Sequence, residues 1–273
     1  MPHPNIVLFK YKEVFPPQMH ILNHISEDLQ QVQLLLRKNF CFRAGQLSDF
    51  VPLNFNNPDM NLRPGIVISA GSMFGPVSGR LVALAAVLQF IFMASRVHSK
   101  VKEGSSSKER PVDSRSGYQY PVLVGDYLYG KFFTTLCEFG IVCYLKDLAE
   151  LICQINKSGI HALRNPGMEL TDRQLYMEVV QGETARLFAC GAYLGADLTG
   201  AGEKHKSILY NFGLNLGMAY GLLERGATPG QVKEHLTMAE INLHQLPDDI
   251  DTHFFKDLLT LLSGENTVQR MVG

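Results

Sequence analysis

The chain has 273 residues, 46% of them apolar and 19% charged, which suits a sizeable buried core beneath a surface poorer in charge than average. Its 25 Lys and Arg against 26 Asp and Glu leave a formal net charge of −1, so no basic field gathers nucleic acid or an anionic membrane. The five cysteines, Cys41, Cys137, Cys143, Cys153 and Cys190, lie in apolar contexts without Cys-x-x-Cys spacing and are expected as reduced, buried, intracellular thiols.

Met1 to Phe15 lacks the basic and apolar regions of a secretory signal. Beyond it the apolar residues recur at three and four, and hardly any alternate at two, which predicts an all-α chain. Ser26, Glu27 and Asp28 open a helix carrying Leu29, Val32, Leu35 and Leu36. Asn54 to Leu62 reads as a turn, with Pro64 in the first turn of the next helix. A long helix is expected from Gly79 to Val101. Its apolar run, Leu81 to Ser95, is too short to cross a bilayer comfortably and reads as core, so no transmembrane segment is expected. Gly104 to Gly117 is polar almost throughout and reads as a mobile loop. Further helices are drawn over Tyr118–Leu136 and Leu145–Ile155, from a cap at Thr171 to Leu194, over Lys204–Glu224, from Thr228-Pro229, and over Asp251–Leu262. One domain over residues 1–273 accounts for the pattern.

Several of these segments carry strings in a fixed order. They are Leu62-Arg63-Pro64; LQFIFMASRVHSKVKE at Leu88–Glu103; VGDYLYGK at Val124–Lys131; VVQGETARLF at Val179–Phe188; and YNFGLNLGMAYGLLER at Tyr210–Arg225. Together they resemble the trans-isoprenyl diphosphate synthase (polyprenyl synthetase) family. The resemblance implies an isoprenoid-synthase-like helical bundle around a central cavity. It also implies prenyl transfer, in which Mg²⁺ held by two Asp-Asp-x-x-Asp motifs neutralises a leaving diphosphate.

The aspartates themselves are absent. Alignment through Ser95–His98 sets Ser99, Lys100 and Glu103 in the first motif, where three carboxylates become a set of net charge about zero. The second motif falls on Glu224, Arg225 and Thr228, with the same cancellation. Neither set builds a Mg²⁺ cluster, so no metal ligand is assigned. Among the diphosphate contacts the resemblance implies, Arg63 is kept but its lysine partner is lost. A histidine is matched by Phe92, Gly-Lys-Thr becomes Gly182-Glu183-Thr184, and Gly221 replaces a glutamine. An Arg-Arg pair falls near Lys108 and Arg110. Residual diphosphate contacts are therefore expected only from Arg63, Lys108, Arg110 and Thr184. Phe90, Phe92, Ala94 and Ser95, with Phe132, Phe133 and Phe188, are candidates to line a prenyl tunnel, or simply the core.

These departures favour a chain with no catalytic residues of its own: a non-catalytic subunit of a heteromeric long-chain prenyl diphosphate synthase, in isoprenoid or quinone side-chain biosynthesis. It would bind no cofactor alone, Mg²⁺ belonging to the catalytic partner, and enzymatic activity would require that partner. Self-association is the alternative assembly, and an isoprenoid diphosphate the candidate ligand. A divergent prenyltransferase and a homomeric isoprenoid-binding protein are the competing readings. The expected location is the cytoplasm, or the membrane periphery.

Overall fold

The computed structural model describes residues 22, 24–42, 45–46, 55, 57–101 and 119–264. In chain order the elements are α1 (Ser26–Lys38), a short antiparallel pair β1 (Cys41–Phe42) and β2 (Gly45–Gln46), α2 (Asn57–Ser72), α3 (Gly79–His98) and α4 (Tyr120–Glu138). There follow α5 (Leu145–Arg164), α6 (Met168–Thr171), α7 (Arg173–Val180), α8 (Arg186–Leu198), α9 (Glu203–Leu223), α10 (Pro229–Leu243) and α11 (His253–Ser263). The fold is all-α. The expected loop from Gly104 to Gly117, with Glu103, Lys108 and Arg110, lies outside the described residues.

Helix α3 is the hub because it is apolar all round: every residue from Ala83 to Ala94 is buried, and α1, α2, α4 and α8 pack around it. By length and composition it could cross a membrane, but 83% of that window is buried inside the protein, as expected of a core helix. Helix α9 is the second axis, wedged between α8 and α10. Burying each large side chain of this core, such as Phe90, Phe188 or Phe212, stabilises the fold by about 1.5–3 kcal/mol.

Two boundaries differ from the sequence expectation for local reasons. Pro64 lies inside α2 instead of opening it. A proline there deprives the carbonyl one turn earlier, that of Met60, of its helical donor. Gln33 of α1 supplies one, its Nε2 donating to Met60 O at 3.0 Å, while Gln89 of α3 donates to the adjacent Asp59 O at 2.9 Å. Thr171 closes the short α6. It is Asp172 that caps α7, accepting from Leu175 N at 3.0 Å.

The cysteine expectation also needs correcting. Cys137, Cys143 and Cys153 are exposed, and Cys190 is partly enclosed, its thiol pushed up to about 12 by burial and then by Asp147. Phe133 faces solvent and leaves the set of core aromatics.

Candidate functional site

The motif-bearing helices meet at Arg63. This residue lies one turn after Asp59 on α2, and its side chain is only 4% exposed. The guanidinium carbon stands 3.5 Å over the Phe92 ring of α3, with Phe188 of α8 at 5.5 Å and Tyr220 of α9 at 5.7 Å. Asp59 Oδ1 approaches Nη1 at 3.7 Å, a charge pair too long for a hydrogen bond. Nε and Nη1 of Arg63 have no hydrogen-bond partner. The cation is thus held by ring faces and one carboxylate.

The two degenerate motifs extend from this cluster. Tyr220 leads to Glu224 one turn on, and burial followed by the Glu224 charge pushes the phenol above its usual range. Phe92 leads along α3 to Ser99, whose hydroxyl donates back to Arg96 O at 2.9 Å. Phe55 lies 5.7 Å from Phe92, and the Lys100 ammonium 5.9 Å from Phe55. Burial and the neighbouring Arg96 charge lower Lys100 below the usual ammonium range.

Arg225 does not face Glu224's neighbours as a metal ligand would. Its Nη2 donates to Glu183 at 2.5 Å and its Nη1 to Gly221 O at 2.8 Å. Glu183 belongs to a π-helical segment, Gln181–Ala185, that joins α7 to α8, with Gly182 set against Ser158 of α5 and Thr184 against Gly221 of α9. Gly221 sits against the same segment and the end of α7: a Cβ there would lie 3.0 Å from both Thr184 Cβ and Val180 Cγ1, so a larger side chain requires these neighbours to give way. Thr184 is buried in that contact. Thr228, the last second-motif residue, closes a capping box with Gln231 at the start of α10.

Of the tunnel candidates, Phe90 and Ala94 are fully buried, Phe92 stacks on Arg63, and Ser95 is partly exposed with its hydroxyl near Phe92 O. A cleft of about 690 Å³ near Met177, Met218 and His235 lies elsewhere, between α7, α9 and α10, and contains none of the predicted site residues. Asp59, Phe55 and Tyr220 join the central cluster without being singled out by the motifs. The four-residue interval from Asp59 to Arg63 was the available signal for the first.

These donors do not fit a Mg²⁺ cluster. Ser99 is spent on a carbonyl, Arg225 is a cation paired with Glu183 and Thr228 is spent on a cap, which leaves Glu224 as the one carboxylate among the described residues of the two motifs. Asp126 reaches His98 at 3.3 Å on the α3–α4 face, away from this cluster. Among the described residues no group of three or more His, Cys, Asp and Glu stands together as a metal site.

The polyprenyl synthetase family model matches residues 45–223. The chain belongs to that family. It is 27% identical over 165 residues to the octaprenyl diphosphate synthase of Escherichia coli K12, a match covering 60% of this chain and 51% of that one. The chain therefore aligns with about half the length of this relative. In fold it resembles a polyprenyl synthase from Caulobacter crescentus CB15 complexed with calcium and isoprenyl diphosphate, with a TM-score of 0.75, 19% identity, and coverage of 91% and 98%. It also resembles the geranyl diphosphate synthase small subunit from Antirrhinum majus, with a TM-score of 0.65, 20% identity, and coverage of 92% and 100%.

Proposed function

We propose that this polyprenyl synthetase is a non-catalytic, accessory subunit of a long-chain prenyl diphosphate synthase. The observation that carries the reading is the internal neutralisation of its motif charges: Arg225 is paired with Glu183 and Arg63 is enclosed by Phe92, Phe188 and Tyr220. A chain so arranged has no acidic pair of motifs facing a diphosphate, and Mg²⁺ belongs to its catalytic partner. Its contribution is to assemble with that partner and shape the product.

An exposed face on α4 supports a partner. Leu123 is 64% exposed and Phe133 49%, with Val122 next to Leu123, on a helix whose other face packs on α3, and the exposed Asp126 and Gly130 stand between them. The likeness to a protein named as a small subunit agrees with a hetero-oligomer.

The test is turnover. With Mg²⁺, an allylic diphosphate and isopentenyl diphosphate, the chain alone is expected to give no elongated product, while adding it to a family member with both Asp-rich motifs raises or lengthens that member's output. Turnover by the chain alone, abolished by chelation, would falsify the proposal.

A further inference from the structure

The most exposed large apolar side chains among the described residues lie where α5 gives way to α6: Leu163 is 86% exposed and Leu170 89%. Side chains so bare stand on a convex tip, with almost nothing of the protein beside them. Lys157, Ile160, Leu163 and Arg164, at intervals of three and four, share one exposed face at the end of α5, and Arg173 opens α7 just beyond. Met168, between the two leucines, is buried and holds the turn against the protein. The turn also closes its own hydrogen bonds. Gly167, at φ 79°, takes the left-handed conformation. His161 O accepts from Asn165 N at 3.1 Å and from Asn165 Nδ2 at 2.9 Å, and Asn165 O accepts from Met168 N at 3.2 Å. Gly167 O accepts from Leu170 N at 3.0 Å and Thr171 Oγ1 at 3.3 Å, and Met168 O from Asp172 N at 2.7 Å. Pro166 has no N–H to satisfy.

We propose that this corner docks on an anionic bilayer, with Leu163 and Leu170 entering the boundary between headgroups and acyl chains while Lys157, Arg164 and Arg173 meet lipid phosphates. Backbone that enters a medium poor in water must satisfy its own polar groups, as this turn does. Long cationic side chains beside the leucines keep their heads at the level of the phosphates while their stems follow the apolar surface. Glu169 and Asp172 stand near them, but the Asp172 carboxylate caps α7, so the tip keeps an excess of cations although the whole chain carries a net charge of −1. A stable protein contact needs a broad complementary face. A convex point of two bare leucines flanked by cations matches instead the layered chemistry of a bilayer surface. The inference concerns where the chain works and stands apart from the partner reading, whose contact lies on α4.

Flotation of the full chain with lipid vesicles tests it. The unaltered protein is expected to float with vesicles of phosphatidylcholine and phosphatidylglycerol, and several-fold less with phosphatidylcholine alone. Leu163→Ser combined with Leu170→Ser is expected to bind the mixed vesicles about tenfold less. Its melting temperature should not change, because neither side chain is buried. Lys157→Gln, Arg164→Gln and Arg173→Gln together are expected to remove the preference for the anionic lipid. Leu170→Trp adds a fluorescent probe to a chain that has no tryptophan, and its emission is expected to move to shorter wavelength on the mixed vesicles. Absence of flotation, flotation that survives loss of both leucines, or an unshifted emission overturns the proposal. Sedimentation of the double-leucine variant, alone and with a catalytic synthase, reports on the other occupants: weakened association there assigns the corner to a protein and also overturns it. Binding of the unaltered chain to the synthase, measured on the same preparations, reports separately on the partner reading.

Discussion

Glu183 and Arg225 each break a family motif, and each supplies what the other lacks. Where the resemblance sets a lysine opposite an aspartate, this chain sets a glutamate opposite an arginine, so the attraction is kept with its sign reversed. Both side chains are partly exposed, which limits the coupling to about 0.5–1 kcal/mol. A double-mutant cycle in urea with Glu183→Lys, Arg225→Asp and both together should show each single variant destabilised and the pair largely recovered. Strictly additive losses would refute the pairing. The sequence displayed both departures, since each breaks a short string. It did not display their contact, which depends on a π-helical turn that no periodicity announces. The cage around Arg63 was hidden for a similar reason: its three rings come from three other helices.

Among the helices, those that are apolar on a broad face were legible from spacing alone, as α3 and α9 demonstrate. The start of α2 was not, because the carbonyl freed by Pro64 is satisfied from α1. Helix α9 closely approaches α8 and the π-helical segment before it at Gly217, where an added Cβ would lie 2.6 Å from Ala185 Cα of that segment, a backbone atom that cannot swing aside, and 3.0 Å from Phe188 Cβ of α8. Gly217→Ala should therefore destabilise the fold by about 1–3 kcal/mol by forcing these helices apart. Thermal unfolding unchanged by this substitution would contradict the packing. The turn between the same helices is held by Lys206, whose ammonium donates to Asp197 and Glu203 at 2.6 Å, while Tyr144 donates to Asp197 at 2.7 Å. Burial alone would raise the Asp197 carboxyl, but the Lys206 and Tyr144 hydrogen bonds outweigh it and lower the group below its ordinary value. A depressed carboxylate stabilises the fold above its unfolded pKa of about 3.9 and loses that contribution as pH falls through the lower folded value. The stability gap between the natural chain and Asp197→Asn should accordingly be full near neutral pH and close progressively below about pH 4 in melting curves.

For the molecule as a whole, the low share of charged residues and the exposed Leu123 and Phe133 on α4 suggest that the chain has surface it does not need for its own core. Leu123→Glu and Phe133→Glu should each weaken association with a catalytic synthase, in sedimentation at micromolar concentration, by at least tenfold. Both should leave the melting temperature nearly unchanged, since neither side chain is buried. Undiminished association would place the contact on another face. Composition could not mark Leu123 or Phe133, because an exposed leucine and a buried one look alike until the helix is packed.

The reversed pair also bears on how such a chain descends. Arg225→Asp sets a carboxylate against Glu183, and Glu183→Lys sets an ammonium against Arg225, so each single step towards the charges the resemblance sets there passes through repulsion. A lineage that has exchanged both partners therefore meets a barrier in either direction of return. The double exchange acts as a ratchet on these two positions.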